Sequence, residues 1–296
     1  MSQKFFWATA ILAIALPSCT PKRSSRDAGS GVLVWKVPAG RAWMDQDEVE
    51  FSSWVQRIGE SREAKKCKFF GECLKNPDVN SLFTPDDNAL ETNPNCADVP
   101  LSMRAYFAYK KKLPFVFVAE IDGKVDARKD LRYGTEIHPT RLEDQKYVAT
   151  MNKLFFYIRD WVSSAFYRMS PEIEGNDTFP VKVTREAIRP GTIYYDPNGH
   201  VMMVYRVESD GTVRIIQGSP GDEKAGAYFS TGVINSAEHA RGRKINGGGF
   251  RNWRGIKNVN GLAKFRLNSE EPQFDPQEQY QDSLVISAVQ TVGGFI

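Results

Sequence analysis

Twelve residues near the N-terminus, Phe5 to Leu16, carry no charge, and that run limits what the rest of the chain can become. A helix that crosses a bilayer needs roughly 20 apolar residues, so the run is too short to span. With Lys4 before it and the small Ser18 after it, it reads as a secretory signal peptide over residues 1–18. The remainder of the chain must then fold in water and outside the reducing cytosol. The composition agrees: 41% of the 296 residues are apolar and 25% are charged. That balance suits one large or two modest globular domains, and argues against a disordered chain or a multi-span membrane protein. Thirty-nine lysines and arginines against 36 acidic residues leave a net charge of +3. So small an excess gives no electrostatic footprint for nucleic acid, and no such partner is expected.

Leu16-Pro17-Ser18-Cys19 resembles a bacterial lipobox, in which the cysteine becomes the acylated first residue of the mature chain. Pro17 departs from the small residue usual there. Acylation of Cys19 would supply the two-chain anchoring that holds stably in a membrane. The polar stretch 19–31 has no apolar periodicity and reads as a tether. Export also permits disulfides. Cys67 and Cys73 flank a short glycine-containing loop and are expected to bridge; no neighbouring His or Cys completes a metal site, and neither metal nor cofactor is expected. This leaves Cys96 as the odd cysteine, and an odd thiol in an exported protein needs a chemical reason.

The pattern of the mature chain predicts mixed structure. Val32 to Val37 reads as a strand, and Asp47 to Ile58 as a helix with Val49, Trp54, Val55 and Ile58 on its apolar face; residues 32–83 form an N-terminal helical segment. Pro77 to Pro94 reads as a loop delivering the chain to Cys96. Ala97 to Lys112 is helical in spacing, with Pro100 tolerated in the opening turn and Pro114 ending it, and Phe115 to Ile121 is a strand. Thr140 to Met169 reads as one long helix opened by a Thr140, Glu143 capping box. Phe179 to Thr184, Thr192 to Tyr195, Val201 to Val207 and Val213 to Gln217 are strands, the last two joined as a hairpin by Glu208-Ser209-Asp210-Gly211. The triglycine of Gly247-Gly248-Gly249-Phe250 reads as a loop, and residues 268–296 as a surface tail.

A nucleophilic cysteine needs a stabilised thiolate, an imidazole to manage the proton and a polar group to orient that imidazole. Cys96 lies just before a predicted helix, where backbone amides and the helix dipole favour an anion. His200 opens a strand after the turn Pro197-Asn198-Gly199, and Gln217 closes the next strand, where its amide oxygen can fix the imidazole tautomer. Ser219 shares the face of Gln217 and is an alternative to it. Arg251 and Trp253, beyond the triglycine, suit the rim of a groove that holds an acidic or sugar group.

Asn95-Cys96-Ala97-Asp98, Arg189-Pro190-Gly191-Thr192-Ile193, Gly199-His200-Val201 and the strand ending in Gln217 together resemble the NlpC-type and CHAP-type branches of the papain-like cysteine peptidases, which are bacterial cell-wall hydrolases. The resemblance implies an α+β fold with a helix packed on an antiparallel sheet, the catalytic domain covering residues 84–267 and the long Thr140 to Met169 helix inserted in it. It further implies Cys96 as nucleophile, His200 as general base and acid, Gln217 as orienting residue, and substrate contacts from Asn95, Asp98, Asn198 and Ser219. The implied reaction is cleavage of amide bonds in peptidoglycan by a membrane-anchored monomer of the cell envelope. Asn95 stands where the family commonly has Asp, and Thr192 where Asp commonly follows the Pro-Gly turn. Two rival expectations are a non-catalytic envelope module that binds wall peptide or a protein partner, and a thiol acyltransferase built on the same groove.

Overall fold

The computed structural model describes residues 35, 37–121, 137–141, 150–168, 174–182, 184–196, 200–219, 228–234, 249–259 and 262–275. The signal peptide, Cys19, the tether and four of the six residues of the strand expected over Val32 to Val37 lie outside them, and the two described, Trp35 and Val37, are in no strand. Helix α1 (Asp45–Glu63) starts where three acidic side chains, Asp45, Asp47 and Glu48, meet the positive end of the helix. The Asp47 carboxylate also accepts from the Met44 N–H at 2.9 Å, which satisfies an orphan donor. Phe51, Trp54, Val55 and Ile58 form the buried stripe. Val49, expected on that stripe, lies on the opposite side and is exposed.

A glycine inside this helix marks how closely it docks. A Cβ added to Gly59 would sit 2.2 Å from Cγ of the buried Tyr205 ring. Gly→Ala within a helix ordinarily stabilises by about 1 kcal/mol. Here the ring cannot retreat, so Gly59→Ala is expected to destabilise by about 2 kcal/mol, a reversal of sign that thermal unfolding of the variant reads directly.

The chain then turns through the Cys67–Cys73 disulfide, whose Cα atoms are 5.2 Å apart, into the short helix α2 (Phe70–Lys75). Helix α3 (Asp98–Lys111) comes next and is buried on every side from Asp98 to Ala108, as befits a central helix rather than a surface one with a single apolar stripe. It shares one apolar cluster with α1: the Phe107 ring stacks on Trp43 at 5.8 Å and meets Phe51 edge-on at 5.3 Å. Arg104 is buried in that cluster with its guanidinium 3.4 Å from the Trp43 ring centroid, and it pairs with Glu48 of α1. Lys112, in the left-handed region at φ 53°, ends the helix before Pro114.

Strands β1 (Val116–Ile121) and β2 (Ile137–Arg141) pair antiparallel. Thr140 therefore stands in a strand, and the expected helix from Thr140 to Met169 is corrected: α4 runs Met151–Trp161, with a 3-10 turn after it over Ser164–Arg168. Its true cap is Thr150, whose side chain accepts from the Lys153 N–H at 3.2 Å. Thr150 was obscured in the sequence by the apolar spacing that runs on from Tyr147.

Strands β3 (Thr178–Pro180), β4 (Ile193–Asp196), β5 (His200–Val207), β6 (Val213–Ser219), β7 (Tyr228–Ile234) and β8 (Gly249–Trp253) make one antiparallel sheet in the order β3-β8-β4-β5-β6-β7. The expected β5–β6 hairpin closes with Glu208 N–H on the Thr212 carbonyl at 2.9 Å, and Gly211 takes φ 85°. Both faces of the sheet are covered. Ile193, Tyr195, Val201, Met203, Tyr205 and Ile216 join the cluster of α1 and α3, while Tyr194, Met202, Val204, Val213, Ile215 and Phe250 pack with Phe179, Val181 and Ile188 on the other face. Two short strands, β9 (Ile256–Val259) and β10 (Leu262–Phe265), form a separate pair. Residues at the start of the expected surface tail are tied inward: Phe274 bridges to Val181, and the buried Glu271 carboxylate accepts from the Gly255 N–H at 2.8 Å. The described part of the fold is thus helices with an antiparallel sheet, of α+β character.

Candidate active site

The first turn of α3 is organised by Asn95. Its carbonyl accepts from the Asp98 N–H at 3.2 Å and the Val99 N–H at 3.0 Å, so hydrogen bonding begins there and Cys96 is the first residue of the helical turn. The Asp98 carboxylate reaches back to the Asn95 N–H at 3.0 Å, which is the returning half of a capping box. Of the amides expected to face an anion, those of Asp98 and Val99 are therefore already used. The Ala97 N–H takes no acceptor among the described residues. Asp98 itself is 2% exposed and bound to backbone, which removes it from the residues that touch a substrate.

Cys96 is 2% exposed and belongs to neither apolar cluster, although Ala97 and Val99 of the same turn do. Its neighbourhood is polar in part. The Tyr167 hydroxyl, at the end of the 3-10 turn, donates to the Ala97 carbonyl at 2.9 Å. Burial pushes that phenol well above its ordinary pKa, and the nearby Asp177, Asp98 and Cys96 push in the same direction. Tyr167 was hidden in the sequence because it fell within the supposed long helix. Asp177 is a buried carboxyl pushed up to about 7 by desolvation, which outweighs the Val118 N–H it accepts at 3.2 Å and the attraction of Arg254.

His200 opens β5 half-buried, and its Nε2 lies 2.6 Å from Gln217 Oε1 across the β5–β6 pair. An amide oxygen only accepts, so this contact puts the imidazole proton on Nε2 and leaves Nδ1 as the basic atom. The ring and its expected orienting residue are thus together.

The thiol turn reaches the same strand one residue away. A Cβ on Gly218 would lie 2.7 Å from both the carbonyl carbon and the oxygen of Asn95, and 2.8 Å from Val99 Cγ2. No side chain but hydrogen fits between β6 and the start of α3. Strand alternation adds a constraint that the sequence did not reveal. Gly218 faces α3, whereas Gln217 shares its face with Ile215, beside Gly232 of β7. The Cys96 turn and the imidazole therefore approach the C-terminal end of β6 from its two faces.

The other expected contacts divide. Asn95 is partly exposed at the turn, and Ser219, the last residue of β6, shares the face of Gln217 and pairs in register with Tyr228. Asn198 lies outside the described residues. Arg251 and Trp253 are corrected: neither is at a rim, because Gly249–Trp253 is a strand between β3 and β4 rather than a loop. Arg251 is fully buried with Nε on Thr178 Oγ1 at 3.0 Å, and the Trp253 indole donates to the Gly191 carbonyl at 3.0 Å. Among the described residues no three His, Cys, Asp or Glu side chains converge on a point that would hold a metal ion. Comparison with protein-family models, curated proteins and solved structures returned no match, so the chemistry rests on this chain's own residues.

Proposed function

We propose that the chain is an exported cysteine hydrolase of papain-like, NlpC- or CHAP-type architecture, anchored at the bacterial envelope through acylated Cys19 and acting on amide bonds of peptidoglycan. The observation that carries the reading is the 2.6 Å contact of His200 Nε2 with Gln217 Oε1, next to the strand position against which the Cys96 turn is docked. In this reading the thiol has to reach Nδ1 around the end of β6, past Gly218. Nδ1 takes the thiol proton as sulfur attacks the carbonyl carbon, and the Ala97 N–H faces the oxyanion. The C–N bond then breaks and the imidazolium returns the proton to the leaving amine. Water, deprotonated by the same nitrogen, cleaves the thioester and restores the thiol. The resemblance around Asn95-Cys96 and Gly199-His200 supports the wall substrate.

The burial of Cys96 and the approach from two faces favour a second reading, a groove of the same kind that binds wall peptide without turnover. Incubating the mature chain with purified sacculi and analysing the soluble products by mass spectrometry separates the two. Hydrolysis yields fragments that gain one water per cut; acyl transfer yields fragments extended by an amine acceptor instead. Retention of the chain on sacculi with no released fragment would replace the hydrolase by the binding module.

A further inference from the structure

We propose that Tyr167 is a positioning residue of the Cys96 turn: its buried hydroxyl holds the Ala97 carbonyl, so that the N–H of the same residue keeps its direction toward the oxyanion. The proposal rests on the reading of Cys96 as nucleophile. It adds to that reading a side chain from outside the sequence stretches that carry the hydrolase resemblance.

The turn is held on both sides of the thiol. On one side the Asn95 N–H donates to the Asp98 carboxylate at 3.0 Å, and the Asn95 carbonyl takes the Asp98 N–H at 3.2 Å close against Gly218 of β6. On the other side the Ala97 carbonyl takes the Tyr167 hydroxyl at 2.9 Å. Cys96 thus stands between two fixed neighbours, one docked on the sheet and one on the 3-10 turn after α4. Between them lies the Cys96–Ala97 peptide, whose N–H the reaction turns toward the developing charge. A backbone donor is aimed only as well as the residues around it are held, and a donor set slightly off the oxyanion loses much of its worth in the transition state.

Tyr167 is built to give a hydrogen bond, not to take the thiol proton. Its ring is 3% exposed and belongs to the apolar cluster of α1, α3 and the sheet. The 3-10 turn that carries it is closed by the Phe166 N–H on the Ser163 carbonyl at 3.0 Å. Burial holds the phenol well above its ordinary pKa, and Asp177, Asp98 and Cys96 add to the rise. The hydroxyl therefore keeps its proton at any pH where a thiol and an imidazole exchange theirs. That leaves the base to His200 and the aim of the turn to Tyr167.

Two small electrophiles separate aim from mere structure. p-Nitrophenyl acetate acylates the thiol through a tetrahedral oxyanion: the S–C bond forms, the thiol proton passes to His200 Nδ1, and p-nitrophenolate leaves with the electrons of the broken C–O bond. Iodoacetamide alkylates the same sulfur by displacing iodide and forms no oxyanion. Tyr167→Phe in the mature chain keeps the ring and removes only the donor, and thermal unfolding checks that the variant is folded at the assay temperature. Its burst of p-nitrophenolate, corrected with Cys96→Ala, is expected to slow by about tenfold, while alkylation of Cys96, read by mass spectrometry, stays within about twofold of the parent. A loosened or more exposed turn would move both rates together. Equal changes in the two rates, or an unchanged burst, overturn the role of Tyr167 and leave the nucleophile standing. A parent chain with no Cys96-dependent burst removes the nucleophile, and the proposal with it.

Discussion

Cys96→Ala should leave the purified mature chain without measurable release of peptide from sacculi, a fall of at least about 10³-fold, because no other group at the α3 turn can form the acyl-enzyme. The substitution removes one sulfur from a side chain outside both apolar clusters, so thermal unfolding should move by no more than about 1 kcal/mol. His200→Ala should cost about 10²- to 10⁴-fold, the usual worth of a positioned general base. His200 is half-buried at the first position of β5, and its loss leaves the β5–β6 ladder intact. Gln217→Ala should cost less, since it removes only the acceptor that holds the Nε2 tautomer, and Gln217→Glu should restore part of the rate by supplying another acceptor. The order of the three losses carries the information. Release at the wild-type rate by Cys96→Ala or His200→Ala would end the mechanism. Equal retention of all three variants on sacculi with no turnover by the parent would place the chain in the binding class.

The parts of this arrangement that are local in sequence were legible there. A hairpin needs only two strands and an Asp-Gly turn, and β5, β6 and the His200–Gln217 pairing came from that. The Cys67–Cys73 bridge likewise depends on a six-residue separation and little else. The helix start at Cys96 was legible too, though not that its Asp98 would be spent on the Asn95 amide. What failed was decided by tertiary placement. Arg251 and Trp253 looked like rim residues because glycines precede them, yet strand pairing on both sides buries Arg251 completely. Thr140 and Thr150 both have capping chemistry, and only pairing of β2 with β1 selects the second. Strand parity is the deepest case. Hydropathy cannot distinguish the faces of β6, since both are buried, and so the sequence could not show that Gly218 meets α3 while Gln217 points away from it.

Gly218→Val tests that placement with the largest effect on stability expected from a single substitution at the site. The new Cβ would fall 2.7 Å from the Asn95 carbonyl carbon and oxygen and 2.8 Å from Val99 Cγ2. Two of these atoms are backbone, and they belong to the turn whose carbonyl starts α3, so relief requires the helix to lift from the sheet. Overpacking of this kind costs about 3 kcal/mol. Gly232→Ala on the neighbouring strand is the matched comparison: its Cβ would press on Ile215 Cδ1 at 3.0 Å, the end of a side chain that can turn aside, and touch Ile215 Cγ1 and Gln217 Nε2 at an ordinary 3.7 Å, so a loss under about 1 kcal/mol is expected. Chemical denaturation of both variants gives the two losses, and sacculus assays at a temperature where both remain folded give the rates. If the thiol does reach the imidazole around the end of β6, lifting the Asn95–Cys96 turn should cost Gly218→Val far more activity than its folded fraction explains, whereas Gly232→Ala should keep the parent rate. A Gly218→Val chain as stable as the parent would show that α3 does not rest on β6 at this point, and the thiol and the imidazole would then have no common edge.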